Sequence, residues 1–220
     1  MSIKNNIEKL KESLPAGCSL IAVSKTQPVD KLHEAYNSGH RTFGENKAQE
    51  LSQKYEVMPK DIQWHMIGHL QTNKVKYIAA FVHLIHSADS LKLLAEIDKQ
   101  AQKNNRTINC LLQVHIADEE TKFGFSEAEV ISLLRGAELK TLTNIKIIGL
   151  MGMATLTENV DKIRAEFKGL KALFEKIKSM GIPTIEMKEL SMGMSSDYKI
   201  AVEEGSTLIR VGTAIFGERN

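Results

Sequence analysis

The chain is short of cysteine, of aromatic residues and of unbalanced charge, and each shortage removes a class of protein. Its two cysteines, Cys18 and Cys110, stand far apart and form no CxxC pair. That excludes a disulfide framework and suits a reducing, cytoplasmic compartment. Lys and Arg number 29 against 27 Asp and Glu, a formal net charge of +2, with aromatics at 5%. Without a basic block or a stripe of interleaved aromatics, no nucleic-acid partner is implied. No apolar run is long enough to span a bilayer, and Met1 to Leu14 carries Glu8 and Glu12 among its lysines where a signal peptide would be apolar, so no membrane partner is expected either. Neither linker, repeat nor low-complexity segment divides the 220 residues, so one domain, 1–220, is expected.

What is present is an alternation of apolar strand-like runs and amphipathic helical stretches, the pattern of parallel βαβ units. The strand candidates are Ser19 to Lys25, Arg41 to Asn46, Ile62 to Gly68, His83 to Asp89, Ile108 to Ile116, Ile145 to Ala154, Glu186 to Gly193 and Thr207 to Phe216. Eight right-handed crossovers close most simply into an α/β TIM (β/α)8 barrel, with an extra helix, Ile3 to Leu14, ahead of the first strand. Ile163, Phe167, Leu170, Phe174 and Ile177 recur at intervals of four, three, four and three and draw one apolar stripe along a helix. Ser126 and Glu129 form a capping box before another helix, and Gly39, Gly181 and Gly205 close helical stretches just ahead of strands. A doubly wound open sheet is the rival architecture. It is weakened because no GxGxxG follows the first strand and no GxxxxGK[ST] occurs.

Barrel enzymes keep their chemistry at the carboxyl ends of the strands, and here those ends are unusually polar. Lys25 closes the first strand, where a partly desolvated amine can become nucleophilic and capture an aldehyde as a Schiff base. Strand two ends in Gly44-Glu45-Asn46, strand three in Trp64-His65-Met66-Ile67-Gly68-His69, strand four in His86-Ser87-Ala88-Asp89 and strand seven in Leu190-Ser191-Met192-Gly193-Met194-Ser195. Strand eight holds Arg210, Gly212 and Thr213. Ser191, Ser195, Gly212 and Thr213 are small enough to frame an anion on the last two strands, and an arginine inside an apolar strand requires a fixed partner such as a phosphate or a ring nitrogen. His65 and His69 are four apart, but Met66 stands where a zinc helix needs glutamate, so no metal site is read. Glu45 is either a general acid or a helix-start carboxylate.

An imine-forming lysine facing a phosphate cradle is the chemistry of pyridoxal 5'-phosphate (PLP). Ala22-Val23-Ser24-Lys25-Thr26, Phe43-Gly44-Glu45-Asn46, Trp64 to Lys74, Leu190 to Ser195 and Arg210 to Gly217 together resemble the pyridoxal phosphate homeostasis (YggS/PROSC) family, collinearly from about Leu20 to Gly217. The resemblance implies a barrel like the N-terminal domain of alanine racemase, with PLP as a Schiff base on Lys25 and Arg210 facing the pyridine nitrogen. It further implies that Ser191, Gly212 and Thr213 hold the phosphate and that Asn46, His65, Met151 and Met192 line the ring. Lys122 aligns with a family lysine that would help cofactor exchange, next to Phe123 where relatives more often carry serine.

Racemisation needs proton donors and acceptors on both faces of the reacting carbon. In the racemases that the chain resembles, the second base is a tyrosine from a further domain. Here the chain ends soon after strand eight, and Tyr36, Tyr55, Tyr77 and Tyr198 all fall in helical stretches. The favoured expectation is therefore a PLP-binding protein that buffers or delivers the cofactor. It would work as a monomer that meets apo PLP-enzymes transiently and takes other B6 vitamers. The alternatives are a low-activity racemase or decarboxylase and, last, a Schiff-base aldolase acting on a phosphorylated sugar.

Overall fold

The computed structural model describes residues 2–118, 123–183 and 185–218. In chain order its elements are α1 (Ile3–Glu12), β1 (Ser19–Val23), α2 (Val29–Asn37), β2 (Thr42–Glu45), α3 (Ala48–Val57), β3 (Gln63–Met66), β4 (Leu84–Ala88), α4 (Leu91–Lys103), β5 (Ile108–Gln113), α5 (Glu127–Arg135), β6 (Ile145–Met151), α6 (Val160–Ser179), β7 (Ile185–Ser191), α7 (Tyr198–Glu203), β8 (Leu208–Val211) and α8 (Thr213–Phe216). All eight strands are parallel neighbours in sequence order, and β8 returns to β1 through Ile21 opposite Arg210 and Ala22 opposite Val211, closing the barrel. Hence the (β/α)8 barrel expected from strand count is present, together with the leading helix.

Strand alternation sorts the residues into two layers. On the inside a small cluster of Ile21, Leu84, Leu111, Met151 and Leu208 fills the barrel. On the outside Leu20, Ala22, Phe43, Trp64, Ile85, Leu150, Leu190 and Ile209 meet the helices in one continuous core. Both faces are buried, the outer one mostly apolar and the inner one shared between this cluster and the polar side chains His65, His86, Ser191 and Arg210, so the strands read as largely apolar runs. Helix α6 buries Ile163, Phe167, Leu170, Phe174 and Ile177 as their spacing requires. Helix α5 begins with the Ser126–Glu129 capping box, each side chain bonding the other's backbone N–H. The glycines at 39, 181 and 205 have φ of 90°, 59° and 93°, conformations that L side chains rarely adopt.

Two connections differ from the sequence pattern. Between β3 and β4 the chain makes a 3-10 segment, Thr72–Tyr77, instead of an α-helix, burying Val75. The expected last strand, Thr207 to Phe216, stops at Val211, and the chain turns at Gly212 into α8. The apolar residues beyond the glycine, Ile215 and Phe216, are buried beside the leading helix, where Asn6 Nδ2 donates to the Ile215 carbonyl at 3.0 Å. An apolar run cannot by itself distinguish a strand from a short buried helix. No helix among the described residues is long and apolar enough to cross a membrane.

Candidate functional site

Because Ile21 lies inside the barrel, the two-residue period carries Val23 and Lys25 inward as well. There they border a cleft of about 280 Å³ at the carboxyl end of the strands, near the lower bound of roughly 300 Å³ usual for small-molecule sites. Its lining is Val23, Lys25, Asn46, Ile67, Met153, Met194, Ser195, Ser196, Arg210, Gly212 and Thr213, with the β8 residues beside β1, where Gly212 packs against Val23. Asn46 is set by a close backbone approach: a Cβ on Gly68 would lie 2.5 Å from the Asn46 carbonyl oxygen, so only glycine fits there. Asp197 Oδ1 accepts from the Met194 N–H at 2.6 Å, which shapes the turn carrying Ser195 and Ser196. The Gly212 N–H points at Ser195 Oγ, 3.4 Å away.

Arg210 forms the floor, only 4% exposed. Its guanidinium donates to Ser191 Oγ at 2.5 Å and to the Gly152 carbonyl at 3.1 Å. Ser191 Oγ lies 2.9 Å from His86 Nδ1, and His86 Nε2 lies 2.8 Å from His65 Nδ1. Arginine only donates, which fixes the direction of the first bond in this chain. The Ser191 oxygen accepts from Arg210, and its second lone pair and its hydroxyl hydrogen allow it to meet His86 Nδ1 in either role, with the tautomers of His86 and His65 following together. Both rings are neutral: burial pushes His65 down to about 3 and holds His86 well below 6.5, with the neighbouring histidines and Arg210 adding to the effect. Burial also lowers Arg210, to about 10, which leaves it cationic at neutral pH.

Behind Lys25, on the outer face of the barrel, Glu45 is fully buried and accepts from Ser24 Oγ at 2.6 Å and Lys54 Nζ at 2.8 Å. Glu45 is thus neither a cleft acid nor a helix-start carboxylate. Burial raises its pKa above 4.5, and Lys54 opposes that rise.

The alanine racemase N-terminal domain family matches residues 1–220. A protein of Aquifex aeolicus named "Pyridoxal phosphate homeostasis protein" is 43% identical over 201 residues, covering 91% of this chain and 86% of the relative. The chain belongs to the pyridoxal phosphate homeostasis (YggS/PROSC) family. Among solved structures, PipY of Synechococcus elongatus without PLP superposes with a TM-score of 0.92 at 36% identity, covering 98% of this chain and all of PipY. PipY with PLP bound gives 0.88 at 35%, with the same coverage.

Within this family fold, five residues expected at the site converge on the cleft: Lys25, Asn46, Arg210, Gly212 and Thr213. Four do not line it. Ser191 is fully buried beneath the cleft, its hydroxyl committed to Arg210 and His86, so the serines on the wall are Ser195 and Ser196. His65 is inside the barrel, two hydrogen bonds below Ser191. Met151 belongs to the interior cluster, and Met192 faces the helices in the outer core. The methionines on the wall are Met153, one inward step beyond Met151, and Met194, where Gly193 at φ 96° breaks the strand alternation. Val23 and Ile67 were legible from that same inward period, although neither carries a chemical signal of its own. His69 faces away from His65, exposed and bonded to Asp89 at 3.1 Å. Lys122 lies outside the described residues.

Proposed function

We propose that the chain acts as one PLP-binding barrel domain that holds the cofactor as a Schiff base on Lys25 and serves its homeostasis by buffering or delivery. One observation carries the reading: an amine, a buried guanidinium and a cluster of small hydroxyl and glycine residues border the same 280 Å³ cleft. These are the groups that an aldehyde, a pyridine nitrogen and a phosphate require. Lys25 offers the amine, Arg210 the cation for the ring nitrogen, and Ser195, Ser196, Gly212 and Thr213 the phosphate site. Asn46 stands beside Lys25 as a polar contact for the ring substituents. When bound, PLP supplies a reactive aldehyde and an electron-withdrawing ring. Relatives named for pyridoxal phosphate homeostasis and the PLP-bound PipY structure support the same reading.

Carriage is favoured over catalysis by what the cleft lining holds. Among the described residues Lys25 is its one side chain suited to shuttling protons, since Arg210 stays protonated and no tyrosine is in the described lining. A racemase needs a second base on the opposite face. We extend the proposal to a monomeric, cytoplasmic protein that also takes other B6 vitamers and passes PLP to apo-enzymes in transient contact.

The test is borohydride reduction of the PLP-loaded protein followed by peptide mapping. The pyridoxyl group is expected on Lys25, and its appearance on another residue, or nowhere, overturns the reading. Incubation with single L-amino acids in deuterated water then decides between carrier and enzyme, because sustained exchange of the Cα hydrogen would establish the racemase or decarboxylase alternative.

A further inference from the structure

The residues on either side of Lys25 are held by a buried ionic cluster that lies outside the cleft. Lys54, on α3, has a side chain only 7% exposed. Its three ammonium hydrogens meet three acceptors: the Ser24 carbonyl at 2.7 Å, Glu45 Oε1 at 2.8 Å and Glu50 Oε1 at 2.8 Å. The same two carboxylates also hold the flanking residues directly, Glu45 through Ser24 Oγ at 2.6 Å and Glu50 through the Thr26 N–H at 2.6 Å.

The turn they hold is strained. Ser24 to Gln27 closes with a 3.0 Å backbone hydrogen bond from the Gln27 N–H to the Ser24 carbonyl, and Thr26 within it sits at φ 61°. A β-branched side chain in the left-handed region is a genuine outlier that persists only when its surroundings over-determine it. Here the over-determining contacts are those of Glu45, Glu50 and Lys54, and the residue between the two held positions is the one whose side chain enters the cleft.

We infer that Lys54, Glu45 and Glu50 are positioning residues for Lys25, holding the strained Ser24–Gln27 turn so that the amine is aimed at the cofactor's aldehyde while the phosphate is anchored in the cleft. This rests on the proposal that Lys25 carries PLP.

The test compares wild type, Glu50→Ala, Glu50→Gln and Glu50→Ala/Thr26→Gly by two readouts. The first is PLP affinity, followed by visible absorbance. The second is labelling of Lys25 in the PLP-free protein by formaldehyde and cyanoborohydride, read by peptide mapping. Glu50→Ala is expected to weaken PLP binding about tenfold, the scale of one released backbone strain. Glu50→Gln retains an acceptor for Thr26 and should stay near wild type. Adding Thr26→Gly, which accepts φ 61° without strain, should recover most of the loss. Formaldehyde labelling should stay unchanged throughout, because a small aldehyde has no anchored phosphate and does not require the amine to be aimed. Wild-type affinity in Glu50→Ala, failure of Thr26→Gly to restore it, or a parallel fall in formaldehyde labelling would each overturn the inference. Absence of PLP from Lys25 in the wild type would instead sink the proposal beneath it.

Discussion

Lys25 is held from outside the barrel wall by ions, whereas Arg210 is seated from inside the barrel by uncharged groups. The first support, Lys54 with Glu45 and Glu50, lies between β2 and α3, and Glu50 keeps 22% of its side chain exposed. The second runs Arg210, Ser191, His86, His65 through the barrel interior, and both histidines are neutral. The difference follows from what each cation is for. The hydrogen bonds described for Arg210 go to a hydroxyl and a carbonyl, while the charge of Asp197 opposes the lowering of its pKa by burial. Among the described residues no carboxylate is hydrogen-bonded to its guanidinium, which suits a charge offered to a ligand in the cleft. Lys25 needs its direction fixed instead, and charges placed behind the strand achieve that without entering the site.

The comparison breaks if the two supports respond alike to truncation. Lys54→Met strands the buried Glu45 carboxylate and should cost about 3–5 kcal/mol in urea unfolding, with much of the loss returned by Lys54→Met/Glu45→Leu, which removes both charges. His86→Leu strands only neutral partners, the Ser191 hydroxyl and His65 Nδ1, and should cost about 1–3 kcal/mol. Equal losses, or no recovery in the double variant, would show that the ionic side is not special.

Acid should separate the two supports with opposite signs. His65 is lowered from 6.5 to about 3, so the unfolded chain takes up protons first, and the stability contributed by this histidine declines as pH falls from about 6.5 toward 3. His40, lowered to about 4 by burial with Lys11 adding to it, acts in the same direction. Glu45 is raised above 4.5, so the folded state binds its proton first, and this contribution improves as pH falls through that raised value. His65→Gln should thus flatten the loss of stability between pH 6.5 and 4, whereas Glu45→Gln should steepen it. The measurement is unfolding free energy against pH for the three proteins.

Legibility in the sequence divides along the same line as the two supports. The barrel could be read because its signals are local: largely apolar runs for strands covered on both faces, a four-three stripe on α6, a capping box at Ser126. Lys25 and Arg210 could be read because a charge at the end of, or within, an apolar strand demands an explanation. What supports them could not be read so. Glu45 and Lys54 meet across a strand-to-helix packing contact, and Ser191 reaches His86 across the barrel from a position 105 residues away. A hydroxyl near an expected anion site looks the same in sequence whether it faces the anion or lies one layer below. Ser191 and Met192 lie off the wall for that reason, Ser195 stands there on the inward period of Ser191, and Met194 joins it because Gly193 interrupts the alternation.

The smallest predicted effect tests that displacement directly. If Ser195 is on the phosphate wall and Ser191 is part of the arginine's seat, the two serine-to-alanine variants should differ in which part of the ligand they stop recognising. Ser195→Ala removes one hydrogen bond to a charged group, about 1.5 kcal/mol or roughly tenfold, and pyridoxal, which lacks the phosphate, should not sense it. The ratio of PLP to pyridoxal affinity should therefore fall about tenfold in Ser195→Ala. Ser191→Ala disturbs the seat of Arg210, a group offered to the ring that both ligands share, so both affinities should weaken together and their ratio should hold. Competition between the two ligands, measured by absorbance on each variant, reads that ratio. A drop in Ser191→Ala with none in Ser195→Ala would return Ser191 to the phosphate site and remove the neutral chain from beneath the arginine.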